Sequence, residues 1–317
     1  MGYSARYHAA SLAAVFLALA VGILIGAQFG DDIVSGTRKN LEQSLTGDLE
    51  AARERADDLS SELGRSQDFA ERVYPVLVGR RLQGRRIGVI GLGGLPDGVS
   101  GDIETALEPT GAELVAVGVV REPPDLDDLG GELEDTRFSD IEANPDTLQA
   151  LGTGVGRQIV VGGTLLERIR SQLLSRASGQ FTDLDGLVVV RAPPGDLDGE
   201  QRGLTGRLEA GLLDGVGSTG LRAVGVERTD TEHTSITTFD AADLASVDNL
   251  DQIAGRVALV FALLGAEGSF GEKDTADQLL PDLLRPGPAP VAPPPSLERP
   301  PRGRGGQSGG NQARKRG

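Results

Sequence analysis

From Ala9 to Phe29 the chain runs for 21 residues without a charged side chain, with SLAAVFLALAVGILIGAQF at its heart. About 20 helical residues at roughly 1.5 Å each match a hydrocarbon core about 30 Å thick. In lipid only a helix or a closed barrel satisfies the backbone. The run predicts one spanning helix, an anchor over residues 1–30 that contacts membrane lipid. A cleaved signal peptide is the rival reading, since Arg6 supplies a basic start. Its apolar stretch should be about 7–15 residues and end in a small-x-small site. Here the run is longer, and the Ile25-Gly26-Ala27 and Ala27-Gln28-Phe29 windows fit such a site poorly. Small residues recur at Ala10, Ala14, Ala18, Gly22, Gly26 and Gly30, on one helical face. Gly22 and Gly26 are thus candidates for close helix packing, although an Ala-rich anchor also produces such spacing by chance. Arg6 precedes the helix and Arg38 and Lys39 follow it, so charge bias does not orient it. The short N-tail and signal-like start favour an extracytoplasmic body.

Beyond the anchor, Leu45, Leu49, Ala52, Ala56, Leu59, Leu63, Ser66, Ala70 and Val73 follow at alternating spacings of 4 and 3. That is an unbroken heptad seam and predicts a coiled coil over 31–78. The other faces are strongly polar, so the helix needs a partner along one narrow stripe. Leu45, Leu49, Leu59, Leu63 and Val73 are the candidate contacts, with a second copy or with another protein. Asp48 at g and Arg53 at the next e suit a parallel pair, worth about 0–1 kcal/mol when exposed. Alanines thin the seam, and Gly64 costs about 1 kcal/mol inside a helix. The alternative is a helix folded back on its own globular domain. Pro75 disfavours helix at Tyr74, so the rod is expected to end about there.

After Arg85-Arg86 come short aliphatic runs: IGVIG (87–91), AELVAVGVV (112–120), RQIVVGG (157–163), DGLVVVRA (185–192) and LRAVGVER (221–228). Solid apolarity marks strands covered on both faces. Helical stretches near 99–108, 140–151, 164–177, 200–214 and 249–264 separate them. The alternation predicts an α/β domain over 79–284, a Rossmann-like or flavodoxin-like doubly wound parallel sheet. Residues 285–317 are Pro-rich and then Gly/Arg-rich, and are expected to be disordered.

Chemistry is scarce. The Gly91-Leu92-Gly93-Gly94-Leu95-Pro96 turn lies where a dinucleotide pyrophosphate would sit, but Pro96 takes the third glycine position. The second strand ends in Val120-Arg121, with Glu122 just beyond, where a ribose-binding acid would be expected. His8 and His233 stand apart, and no nucleophile-base set assembles around them. Cysteine is absent, and Met1 is the one methionine. Acids such as Asp125, Asp127 and Asp128, or Asp183 and Asp185, suit surface loops better than a hard-metal site or paired general acids. The tail's net charge of +6 leaves −22 of the formal −16 on the rest of the chain, which argues against nucleic acid. No cofactor and no enzymatic activity are expected.

Several segments together resemble a known family: RYHAASLAAVFLALAVGILIGA at the start and Ser246-Val247-Asp248-Asn249 followed by Asp251. The others are Ala254-Gly255-Arg256-Val257-Ala258-Leu259-Val260, Gly268-Ser269-Phe270-Gly271 and Leu279-Leu280-Pro281. These are similar to the actinobacterial copper-transporter (MctB-like) family over roughly residues 5–284. The resemblance implies a cell-envelope protein tied to copper homeostasis, sometimes described as an outer-membrane channel. Some relatives work beside a partner membrane protein in envelope maintenance and division. The residues resist parts of this. Copper(I) prefers Cys or Met and copper(II) clustered imidazole, so no family-typical soft site is expected. The strands are short and solidly aliphatic, unlike those of a membrane barrel, so any pore would need oligomers. Within the motif, Asp248 or Asn249 is expected to cap the helix carrying Ile253, Val257 and Val260, or else to face a ligand or partner.

Overall fold

The computed structural model describes residues 4–282 apart from residue 142, and no side chain at 4–6, 28–43 or 145. The expectation for the tail therefore lies outside the described residues. The chain divides into two compact units, Met1–Leu77 and Val78–Gly317.

The first unit is helix α1, Ser4–Val78, 75 residues with no break. Its stretch Tyr7–Ala27 is long and apolar enough to cross a membrane, with a mean hydropathy of 2.5. Gly22 and Gly26 have open space where a Cβ would stand. Along the heptad stripe Leu45, Leu49, Leu59, Leu63 and Val73 are all exposed, Leu59 by 66%. The expected stop at Tyr74 is corrected, because Pro75 lies inside the helix, which continues to Val78. A proline forfeits one backbone hydrogen bond and strains the turn before it, a cost of about 3 kcal/mol that need not end a helix otherwise held at both sides.

The second unit is built on a seven-stranded sheet. In chain order its elements are β1 (Arg86–Leu92), α2 (Asp97–Leu107), β2 (Glu113–Val120), α3 (Leu126–Leu133), α4 (Pro145–Val161) and α5 (Thr164–Leu173). There follow β3 (Leu174–Gly179), β4 (Gly186–Arg191), α6 (Gly199–Gly217), β5 (Arg222–Val226), α7 (Ile236–Asp240), β6 (Ala245–Val247), α8 (Ile253–Leu263) and β7 (Ser269–Phe270). The strand order is β3-β2-β1-β4-β5-β6-β7. Every pairing is parallel except that of β3 with β2. Counted through all strands the order begins as a Rossmann sheet, and counted through the parallel strands alone it is flavodoxin-like. The doubly wound α/β expectation holds.

Solid apolarity in the strands is explained by cover on both faces. Ile90, Leu92, Leu187 and Val189 join the core formed with α4 and α6. Alternation along a strand turns Ile87, Val89, Val188 and Val190 the other way, toward the layer where α2 meets α8. A Cβ on Gly186 would lie 2.9 Å from both Ile87 and Leu263, which places α8 on that second face.

One expected strand is wrong. Of RQIVVGG (157–163), residues 157–161 form the end of α4, not a strand, and Gly162 and Gly163 lead into α5. Its apolar residues Val155, Ile159 and Val160 are buried on one helical face. Four glycines bring α4 against α6: a Cβ on Gly152 would lie 2.7 Å from the Leu208 carbonyl oxygen, and Cβ atoms on Gly156, Gly211 and Gly215 would meet the carbonyls of Leu212, Gln149 and Thr153 more closely still. The strands β3, β6 and β7 and the helix α3 were not expected, being short and, in β3, largely exposed.

Candidate functional site

In a doubly wound sheet the crevice for a ligand opens at the carboxyl edge where the strand order reverses, here between β1 and β4. Three loops interlock there. Gly93 N donates to Val120 O at 3.2 Å, tying the turn after β1 to β2. Ala192 N donates to Leu92 O at 2.9 Å, tying the loop after β4 to β1. Glu122 leaves β2 two residues past its last strand residue and turns under Gly93, so that a Cβ on Gly93 would lie 2.5 Å from Glu122 Oε2.

Glu122 is 8% exposed, and neither of its carboxyl oxygens has a hydrogen-bond partner. Burial pushes its pKa up to about 8, helped by the charge of Glu209 and opposed by Arg191. Glu209, on α6, is also buried and also raised by burial, but Arg191 Nε donates to its Oε1 at 2.8 Å and restrains the shift. The crevice thus holds two buried carboxyls and one guanidinium, the guanidinium spent on Glu209.

For a dinucleotide the arrangement is unsuited. Glu122 fills the space beside the glycine turn, and Asp97 in the first turn of α2 places a negative charge where a phosphate would dock.

The motif residues gather further along the same edge, and their roles differ from expectation. Ser246, Val247, Asp248 and Asn249 are all fully buried within the domain. The cap of α8 is Gln252, whose side chain makes no hydrogen bond to the helix end, which corrects the expectation that Asp248 or Asn249 caps it. Asp248 instead accepts from Glu272 N at 2.8 Å and Lys273 N at 2.9 Å, holding the turn after β7. Lys273 Nζ then donates to Glu227 Oε1 at 2.7 Å and to the carbonyls of Arg228 and Thr231. Gly255 packs on the Asn249 backbone where a Cβ has no room. Arg256 and Arg228 both grip Asp102 of α2, at 3.4 and 2.9 Å. Ser246 Oγ meets Ser269 Oγ at 3.1 Å across β6 and β7. These residues lock the last elements to the sheet.

Asp248→Ala is expected to destabilise the domain by about 3 kcal/mol, since two half-buried amides lose a buried, charged acceptor. Urea unfolding followed by far-UV circular dichroism measures it. A change under about 1 kcal/mol would remove Asp248 from this role.

The acids read as surface loops behave so: Asp125 caps α3 through Asp128 N, and Asp185 accepts from Arg86 N at 2.9 Å. Among the described residues no group of three or more His, Cys, Asp or Glu is arranged to hold a metal ion. Sequence reasoning reached Glu122 only as a misplaced ribose ligand, and passed over Glu209, Arg191, Glu227 and Lys273. The available signal was an acid inside the apolar stripe of α6, Glu209 beside Leu208 and Leu212.

The family model described as copper transport outer membrane protein, MctB, matches residues 3–281. The proteins named copper transporter MctB from Mycobacterium tuberculosis H37Rv and from Mycobacterium bovis are each 32% identical to this chain over 84 residues. That stretch is 26% of this chain and spans only 27% of the relatives' length. The family match takes in the spanning-length helix, the sheet and the Asp248 lock alike, and the chain therefore belongs to the MctB copper transport family.

Proposed function

We propose that this protein is a membrane-anchored cell-envelope component of copper homeostasis that works without catalysis. Its heptad helix docks a second helix, from another copy or another protein, and its α/β domain serves as an interaction or regulatory module on the outer side of the membrane. The observation that carries this is the exposed apolar stripe from Leu45 to Val73, on the same helix as the spanning-length segment. Such a stripe is stable in water only when a facing helix covers it. Close packing of anchors at Gly22 and Gly26 would reinforce self-association. Photocrosslinking from residues 45–73 in cells, read by mass spectrometry, tests the docking. Leu59→Asp is expected to abolish capture of the neighbours seen with the wild type, and identical capture would end the idea. Phosphatase and green-fluorescent fusions after residue 80 report the side on which the domain lies; a fluorescent, phosphatase-negative fusion contradicts the orientation.

The names of the relatives favour a second reading, in which an oligomer of this chain aids copper efflux. Copper would then be cargo, carried without a soft ligand set, since the chain has no Cys and only Met1. A deletion strain with ordinary copper tolerance and ordinary cell copper counts against it.

A further inference from the structure

The carboxyl edge of the sheet carries a buried acid after each of β2, β5 and β6, and the three are not equivalent. Glu227 accepts from Ser235 N at 2.7 Å, Thr234 Oγ1 at 2.8 Å and Lys273 Nζ at 2.7 Å. Asp248 accepts from two amides. Glu122 accepts from nothing, although it is as buried as a core residue. An ionised carboxylate left so would cost several kcal/mol.

The charge balance points the same way. With both glutamates ionised, Glu122, Glu209 and Arg191 together carry one negative charge too many for a buried cluster. Among the described residues the charges that act on Glu122 are those of Glu209 and Arg191. The turn 91–96 has no titratable side chain, and Asp97 of α2 is exposed. Arg121 directs Nε to Gln172 O, and Asp125 is engaged at the start of α3.

The missing positive charge must also be small. Gly93 has φ +76, and even a Cβ there would lie 2.5 Å from Glu122 Oε2 and 2.8 Å from the Ala192 carbonyl oxygen. On the Gly93 side a proton fits without moving the turn, whereas a hydrated cation or an ammonium group has no room there.

We propose that Glu122 is a proton-operated latch on the turn Gly91–Pro96. With its proton, the carboxyl lies neutral beneath Gly93 and the turn is shut over the crevice between β1 and β4. When the proton passes to water, the carboxylate swings out to be hydrated, and the turn opens. The crevice then becomes accessible on the side where ligands of doubly wound sheets bind.

Hydrogen exchange by mass spectrometry on the full chain in detergent micelles, from about pH 6 to about pH 9.5 and corrected for intrinsic exchange, reads the turn directly. Protection of the Gly93 amide, which donates to Val120 O, is expected to fall about tenfold or more across that range in the wild type. Glu122→Gln is expected to keep it level within about twofold. Glu209→Gln removes the like charge and frees Arg191 for Glu122, so it moves the fall to lower pH; this variant carries the test alone if Glu122→Gln does not fold. Level protection in the wild type, the same fall in Glu122→Gln, or no downward move in Glu209→Gln each overturns the latch. Closure that follows added ammonium ions at constant pH overturns it too, because the missing charge is then a ligand.

Discussion

Gly156→Ala and Gly211→Ala are each expected to destabilise the α/β domain by about 3 kcal/mol, whereas Gly206→Ala in the same helix as Gly211 is expected to stabilise it by up to about 1 kcal/mol. In an isolated helix all three exchanges would help, because alanine is the better helix former. At Gly156 and Gly211 the new methyl meets a backbone carbonyl of the facing helix, Leu212 O and Gln149 O respectively, and backbone does not step aside as a side chain can. At Gly206 nothing stands within 4 Å. Separating α4 from α6 would also loosen the core shared by Leu148, Leu151, Val155, Leu208 and Leu212. Urea unfolding followed by far-UV circular dichroism gives the three values. The opposite signs within one helix are the diagnostic; equal effects at Gly206 and Gly211 would mean that the two helices do not approach through these glycines.

Glu122→Gln is expected to remove most of a pH dependence worth about 5 kcal/mol between pH 4.5 and pH 8. The unfolded chain releases the Glu122 proton near its ordinary 4.5, while the folded chain holds it to about 8. Below pH 4.5 both states carry the proton and the group is neutral to stability. As pH rises from there the unfolded state ionises first, so the fold loses stability until about pH 8, after which the loss is constant. Glutamine has no such proton, so the variant and the wild type should diverge steadily through that window, the variant becoming the more stable. A constant difference across the window would show that the carboxyl is ionised and solvated in the fold. Glu209→Gln should act less simply, because it also releases Arg191 from its 2.8 Å bond.

How much of this was readable beforehand differs from element to element. The runs at 87–91, 112–120, 185–192 and 221–228 became β1, β2, β4 and β5 because a strand covered on both faces must be apolar throughout. The run at 157–163 has the same composition and became helix over 157–161, because periodicity cannot separate a short buried strand from a buried helix face. The preceding glycines belonged to that helix. Their use, letting α6 approach, depends on a partner distant in the chain. Pro75 lies within a helix for a related reason: a local penalty of a few kcal/mol yields to context. For the motif at 246–249, its clustering was visible but its role was not, since Asp248 works on amides beyond β7.

Hydropathy and period, which are properties of neighbouring residues, were enough to determine the spanning-length helix, the heptad stripe and the α/β class. The tertiary structure alone decided that Glu122 has no partner, that Arg191 belongs to Glu209, and that four glycines join α4 to α6. A buried carboxyl is costly or harmless according to what lies within about 3 Å of it, and residues far apart in the chain supply that surrounding only once the sheet has assembled.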